Sequence, residues 1–321
     1  MQAPTLRDVY RAKKTIAPHI PRTPLYFSAG LSDLLEAEVY LKHEEYLPLG
    51  AFKGRGGINL LANLCDEEKE RGLITASSGN HGQSLASACR LFGVKAIIGL
   101  PEDANPNKVA AMRSLGAEVI FHGADFDAAR LHCETLAREE GYRFVHPVND
   151  PLLIAGVGTQ ALETLEDLPE VQVLILPLGG GSGVSGACIV AKGVDPSIEV
   201  FAVQSEQAPA GYLSWKQGQI VEAEMNTFAE GVATRSGYEL TQSIIRDLLD
   251  DFLLVGDDDI HRAIGTLVDK AHTMAEGAGA TALAGAMKYP EKIKGKKVAI
   301  TVSGGNITSE QLTQSLEIYA S

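Results

Sequence analysis

The sequence predicts an α/β fold in which parallel or mostly parallel sheets are covered by helices. Short runs rich in valine and isoleucine alternate with helix-length amphipathic segments along the 321 residues, as in β-α-β units. In addition, glycine-rich segments follow three of the predicted strands. An open α/β sheet places its ligand crevice at such strand ends, so these segments also predict one shared ligand site.

The predicted strands are short and apolar, as expected for strands buried on both faces. In chain order they are Val39–Leu41, Leu73–Ala76, Ala96–Leu100, Glu118–Phe121, Val173–Leu176, Val200–Val203, Phe252–Val255 and Val298–Val302. The helical segments between them include Gly82–Phe92, Lys108–Leu115, Ala128–Glu140, Leu153–Leu165, Asp258–His272 and Ala280–Met287. Pro147 and Pro151 interrupt this alternation and indicate a lobe boundary.

Composition and charge exclude several classes of function. A net charge of −13 repels phosphate backbones, so we expect no nucleic-acid partner. No run of 18 apolar residues predicts a membrane span, and the N-terminus lacks the apolar region of a signal peptide. The four cysteines are widely spaced, which predicts reduced thiols in a cytoplasmic protein rather than disulfides or a zinc site.

The three glycine-rich segments are 76–82, 177–186 and 301–306. In the second, consecutive glycines allow several backbone N–H groups to point in one direction. The helix expected to follow adds its positive dipole end, so this segment predicts a phosphate site.

An alternative interpretation arises from the same segment. Gly181–Gly186 reads G-x-G-x-x-G after a strand, and Glu206 lies about 20 residues further on, as in nicotinamide-dependent oxidoreductases. This hypothesis leaves the other two glycine-rich segments unexplained.

Five motifs in a fixed order resemble those of fold-type II pyridoxal-phosphate (PLP) enzymes. The first, Gly50-Ala51-Phe52-Lys53-Gly54-Arg55-Gly56-Gly57, is similar to the PLP-lysine motif of serine/threonine dehydratases (threonine ammonia-lyases) and serine racemases. The others, which resemble the cofactor loop, the phosphate loop and the last two motifs of that family, are Ser77–Gln83, Gly179–Gly183, Glu276–Gly279 and Ser303–Asn306. Together they extend over most of the chain.

The resemblance implies a two-lobed, tryptophan synthase β-like architecture with PLP between the lobes. The small lobe would comprise residues 53–148, and the large PLP-binding lobe residues 1–52 plus 149–321. Relatives are usually dimers or tetramers, so a homo-oligomer is expected.

The resemblance also implies a role for each matching residue. Lys53 would carry PLP as a Schiff base, and a desolvated pocket would lower its pKa so that it serves as a base. The other cofactor-binding residues would be Phe52 beside the ring, Asn80 on the 3′-oxygen, Gly179, Gly180, Gly181, Ser182 and Gly183 around the phosphate, Glu276, and Ser303 at the pyridine nitrogen. The substrate carboxylate would bind to Ser77, Ser78, Gly79, Asn80 and His81.

The reaction implied is β-elimination from a β-hydroxy amino acid, L-threonine or L-serine by default, giving a 2-oxo acid and ammonia. Ser303 offers a hydroxyl instead of a carboxylate to the ring nitrogen, which favours rapid loss of a β-substituent. Phenylserine and 3-hydroxyaspartate remain open as larger or acidic substrates. Ser78 would be a second catalytic residue, because the corresponding serine of serine racemases is an acid/base. Racemisation is therefore the nearest alternative, ahead of β-replacement.

This sequence departs from the family pattern at several positions. Leu47 replaces a frequent glutamine, Ala51 a frequent serine, and Ser182 the fourth glycine of the phosphate loop. Many relatives bind a divalent cation through acidic residues after the next strand, where only Glu206 is present. A lone carboxylate is a poor site for a hard cation, so no metal is expected. The chain ends soon after the last motif, so we expect no appended regulatory domain.

Overall fold

The computed structural model describes residues 1–104, 106–124 and 126–321, without the side chain of Asn107. Within these ranges the strands are β1 (Leu25–Phe27), β2 (Glu38–His43), β3 (Leu73–Ala76), β4 (Ala96–Leu100), β5 (Glu118–Phe121), β6 (Arg143–Phe144), β7 (Val173–Pro177), β8 (Glu199–Ser205), β9 (Asp251–Val255) and β10 (Lys297–Val302). All the predicted strands are confirmed, whereas the short strands β1 and β6 were not predicted.

Helices connect most of these strands. They are α1 (Leu6–Ile16), α2 (Ala29–Leu35), α3 (Lys53–Ala62), α4 (Asp66–Arg71), α5 (Asn80–Phe92), α6 (Pro106–Ser114), α7 (Phe126–Glu140), α8 (Pro151–Asp167), α9 (Ser182–Val194), α10 (Ala210–Gln217), α11 (Glu239–Leu248), α12 (Asp257–Ala271), α13 (Gly277–Lys288) and α14 (Ser309–Ala320). None of the helices in the described ranges is long and apolar enough to cross a membrane.

The strands form two separate sheets. The larger has the order β1-β2-β10-β7-β8-β9, and the smaller has the order β5-β4-β3-β6. Every pair of neighbours is parallel except β1 and β2, which confirms the predicted fold class. The smaller sheet uses only strands between residues 73 and 144. The lobe boundaries at 53 and 148 stay a prediction.

Helices bury both faces of the larger sheet. Val298 and Ile300 of β10 pack with the cluster that includes α12 and α13. Ala299, which points to the other face because side chains alternate along a strand, packs with α8 and α9. This two-sided burial explains why the strand sequences are continuous apolar runs.

Close packing places α3 between α5 and α8. A Cβ atom on Gly57 of α3 would lie 2.8 Å from the carbonyl oxygen of Ser84 on α5. A Cβ on Gly156 of α8 would lie 2.7 Å from the carbonyl oxygen of Arg55. Both distances are too short for a side chain, so glycine is required for this spacing. The start of α3 also contacts α5 and the start of α9, since Ser84 Oγ donates to the carbonyl oxygen of Lys53 at 2.6 Å and Gly183 lies against the Phe52 ring.

Candidate active site

The loops that follow β3, β7 and β10 meet at the carboxyl ends of the strands. The segment that precedes α3 joins them, since Ala51 forms an isolated bridge with Gly304. The backbone N–H of Phe52 donates to the carbonyl oxygen of Ser303 at 3.1 Å. The predicted lysine segment is therefore fixed against the third glycine-rich loop.

Lys53 is the first residue of α3, and its side chain is half-buried. Its Nζ donates to the Ser182 hydroxyl at 3.0 Å and lies 5.0 Å from the centroid of the Phe52 ring. Burial lowers the pKa of Lys53 to about 8. A lysine with this pKa is neutral in roughly a tenth of the molecules at pH 7, far more than an ordinary lysine, and the neutral amine is the form that a nucleophile or base requires.

The second glycine-rich loop forms a narrow cradle at the start of α9. Gly181 has a φ of +95° in the position before the helix, a conformation that favours glycine. A Cβ on Gly179 would lie 2.2 Å from the carbonyl oxygen of Gly231, and one on Gly180 would lie 2.2 Å from Cγ2 of Val148. The first N–H groups of α9 have no partner within the helix, so the cradle fits a phosphate.

A chain of amide hydrogen bonds orients Asn80. Asn306 Nδ2 donates to the carbonyl oxygen of Leu49 at 3.0 Å and to Asn80 Oδ1 at 2.8 Å. Asn80 Nδ2 in turn donates to Glu276 Oε1 at 2.8 Å. Because a carbonyl oxygen only accepts, the orientations of both amides are determined. An amide nitrogen carries two hydrogens, so Asn80 retains one N–H for an acceptor such as the 3′-oxygen of PLP.

Glu276 precedes α13 and is the acceptor at the end of this chain. Burial raises the pKa of Glu276 to about 7, and the negative charge of Glu230 acts in the same direction. The hydrogen bond from Asn80 opposes this shift. Near neutral pH, the carboxyl group therefore exists in both protonation states.

Replacing Glu276 with glutamine is expected to change the pH dependence of stability. A carboxyl whose pKa is raised on folding binds more protons in the folded state, so its contribution to stability declines as the pH rises from about 4.5 to 7. The wild-type free energy of unfolding should decline relative to that of Glu276→Gln across this range. Urea titrations at several pH values measure it, and parallel profiles for the two proteins would contradict the assignment.

The hydroxyl-bearing residues surround the same crevice. Ser303 is buried directly after β10, and its Oγ lies 3.4 Å from the carbonyl oxygen of Ala278. Ser77 Oγ accepts from the N–H of Gly79 at 3.3 Å. Ser78 and Gly79 are half-buried in the loop before α5.

His81 is a buried neutral imidazole in the first turn of α5. Thr75 donates its hydroxyl proton to the carbonyl oxygen of Val145 at 2.7 Å. The Thr75 oxygen can therefore only accept from His81 Nε2, which lies 3.2 Å away, so Nε2 carries the ring proton. Burial lowers the pKa of His81 to about 3, and the charge of Lys53 contributes. The His81 ring is therefore neutral and held against Thr75.

Two sets of contacts near the site were not predicted. Arg55 lies in a buried cluster with Lys42, Glu44 and Glu163. An ion pair also joins Lys108 of α6 to Glu230. Glu230 precedes Gly231, whose carbonyl oxygen lies against Gly179 of the second glycine-rich loop. The position of Arg55 two residues after Lys53 was visible in the sequence, but no pattern marked its partners.

No metal cluster is present in the described part of the chain. Glu206, the one carboxylate considered from the sequence, is 2.6 Å from Lys288 Nζ. No group of three or more histidine, cysteine, aspartate or glutamate residues in the described ranges is arranged to hold a metal ion.

Comparison with known families decides the nature of the crevice. A family model described as "Pyridoxal-phosphate dependent enzyme" matches residues 16–304. The chain belongs to this PLP-dependent enzyme family. The G-x-G-x-x-G segment lies inside the match, so the nicotinamide hypothesis has no remaining support.

Individual relatives of this PLP enzyme agree with the family match. An L-threonine ammonia-lyase of Thermotoga maritima is 40% identical over 94% of this chain and 76% of its own. An L-threo-3-hydroxyaspartate ammonia-lyase of Saccharomyces cerevisiae is 37% identical over 96% of this chain and 94% of its own. The structure of maize serine racemase superposes with a TM-score of 0.93 at 32% identity, covering 99% of this chain and 98% of that one.

Proposed function

We propose that this enzyme catalyses β-elimination from a small β-hydroxy amino acid such as L-threonine or L-serine, releasing a 2-oxo acid and ammonia. The observation that carries the proposal is the Lys53 amine, whose pKa is about 8, held 3.0 Å from Ser182 at the phosphate cradle. The names of the ammonia-lyase relatives support the same reaction.

Residues of the three glycine-rich segments and of the start of α3 would hold the cofactor. Lys53 would bind it covalently, Gly179–Gly183 would receive its phosphate and Asn80 its 3′-oxygen. Phe52 would support the ring, and Ser303 would offer a hydroxyl to the ring nitrogen. When bound, PLP supplies the electron sink that makes the Cα proton of an amino acid removable.

The remaining steps are assigned to this chain's own groups. The N–H groups at the start of α5, with Ser77 and Ser78, would bind the substrate carboxylate. The free Lys53 amine would remove the Cα proton, a role that its lowered pKa suits. An uncharged hydroxyl at Ser303 stabilises positive charge on the ring less than a carboxylate would, which favours fast loss of the β-hydroxyl over slow proton exchange.

Racemisation is the second candidate. Ser78 lies in the loop before α5, where it would act as an acid/base opposite Lys53, and a serine racemase superposes closely. 3-Hydroxyaspartate also remains a candidate substrate, since one relative is named for it.

The proposal extends to the compartment, the lobes and the assembly of the enzyme. The four cysteines are free, three of them buried, which supports a reducing cytoplasm. The two sheets support a small lobe of residues 53–148 and a large lobe made from the rest.

We also propose a homo-oligomer, because Tyr26 and Phe27 on the edge strand β1 are more than half exposed, and exposed apolar patches mark interaction sites.

A substrate panel tests the proposed reaction. The PLP-loaded protein is incubated with L-serine, L-threonine, phenylserine and 3-hydroxyaspartate, and 2-oxo acid, ammonia and the opposite enantiomer are quantified. Equal amounts of 2-oxo acid and ammonia from one substrate would support elimination. Formation of D-serine without 2-oxo acid would establish racemisation instead, and no turnover of the panel would contradict both.

A further inference from the structure

Arg55 lies at the centre of a buried cluster of charges behind Lys53. The side chains of Arg55, Lys42, Glu44 and Glu163 are each at most 6% exposed. Arg55 Nε and Nη2 donate to the two oxygens of Glu44 at 2.7 and 2.9 Å. Its Nη1 and Nη2 donate to the two oxygens of Glu163, both at 2.8 Å. Two carboxylates thus bind one guanidinium in a fork-like geometry that lysine cannot reproduce.

Further contacts complete the cluster. Lys42 Nζ donates to Glu163 Oε2 at 2.7 Å, and Thr159 Oγ1 accepts from Arg55 Nη1 at 3.0 Å. Burial alone would raise the pKa of Glu163, but the hydrogen bonds and charges of Arg55 and Lys42 together lower this pKa. Two cationic and two acidic side chains therefore face one another, and Arg55 contacts both carboxylates.

The first turn of α3 depends on contacts outside the helix. It reads Lys53-Gly54-Arg55-Gly56-Gly57, and glycine is a poor helix former. The residue before the helix, Phe52, provides no side-chain cap. Residues two apart on a helix point in nearly opposite directions, so Arg55 anchors the back of the turn that presents Lys53 at its front.

We propose that Arg55 is a positioning residue for Lys53. By fixing the start of α3 to Glu44, directly after β2, and to Glu163 on α8, it determines where Lys53 Nζ lies relative to Ser182 and the phosphate loop. The inference rests on the proposed function, in which Lys53 carries PLP and acts as the base. Buried ion pairs often add little net stability compared with apolar packing, so a role in geometry accounts better for Arg55 and its two carboxylates in this place.

The test compares Arg55→Lys with Lys42→Met. The first variant keeps the charge but loses the fork, whereas the second removes a cation that contacts the same Glu163 from β2 and not from α3. The PLP-loaded proteins are compared in the pH titration of the cofactor absorbance, in kcat and KM, and in Tm. Arg55→Lys should shift the pH at which the cofactor absorbance is half-changed. It should also lower kcat about 10- to 100-fold, as expected for a misplaced catalytic group, with little change in KM. Lys42→Met should lower only Tm.

Several outcomes would overturn the inference. One is a folded Arg55→Lys protein whose absorbance midpoint and kcat equal those of wild type. Another is an equal change of midpoint and kcat in Arg55→Lys and Lys42→Met at equal loss of Tm, because this would indicate a stability effect. If Arg55→Lys does not fold, Thr159→Val removes one contact to Arg55 and should shift the midpoint less, in the same direction. An unshifted midpoint there is equally contradictory. Failure of wild-type protein to attach PLP at Lys53 would instead refute the proposed function itself.

Discussion

Replacing Lys53 with alanine is expected to lower 2-oxo acid formation at least ~10³-fold, because the change removes both the covalent attachment of PLP and the base. The cradle and Asn80 do not depend on the lysine side chain, so this variant should still bind PLP non-covalently. Turnover of the best substrate is measured at saturating PLP, and the cofactor content is measured after gel filtration.

The matched control for this prediction is Lys14→Ala. Lys14 is an exposed residue of α1, so its removal should leave turnover unchanged. A Lys53→Ala variant with cofactor bound and turnover within about tenfold of wild type would contradict the assignment of Lys53, because a general base alone contributes more.

Replacing Gly179 with alanine is expected to weaken PLP binding roughly 30- to 150-fold, the equivalent of an overpacking cost of about 2–3 kcal/mol. The added Cβ would lie 2.2 Å from the carbonyl oxygen of Gly231. Because that atom belongs to the backbone, the cradle itself would have to deform. The affinity is measured by titrating the apoprotein with PLP and following its absorbance.

Gly193→Ala, in the helix that follows this loop, provides the control. A Cβ on Gly193, near the far end of α9, would lie 3.0 Å from a methyl group of Leu6, a side chain that can adjust. This variant should bind PLP with wild-type affinity. Equal affinities for the Gly179 variant and wild type would show that the second glycine-rich loop does not hold the phosphate.

Strand positions could be predicted from the sequence, whereas helix starts at the site could not. The strands are valine- and isoleucine-rich runs whose burial on two faces leaves a clear pattern. In contrast, α5 begins at Asn80 and not at Gly82, and α13 at Gly277 and not at Ala280. Asparagine and glycine are weak helix formers, so periodicity assigned these residues to loops. Their position in first turns is what frees backbone N–H groups for ligands.

The Arg55 cluster shows a second limit of the sequence. Glu163 is 108 residues from Arg55 along the chain, and Glu44 is one of several acidic residues in its segment. No spacing rule connects them, because the contacts depend on how α3 packs against α8. Lys53, by contrast, could be identified from its neighbours in the motif.

Borohydride reduction of the wild-type holoenzyme, followed by peptide mapping by mass spectrometry, tests the central claim most directly. A Schiff base between PLP and Lys53 predicts one phosphopyridoxyl group on the peptide that contains Lys53, and its loss when the protein is first incubated with excess substrate amine. Label on another lysine, or no label in a protein that still turns over substrate, would contradict the account.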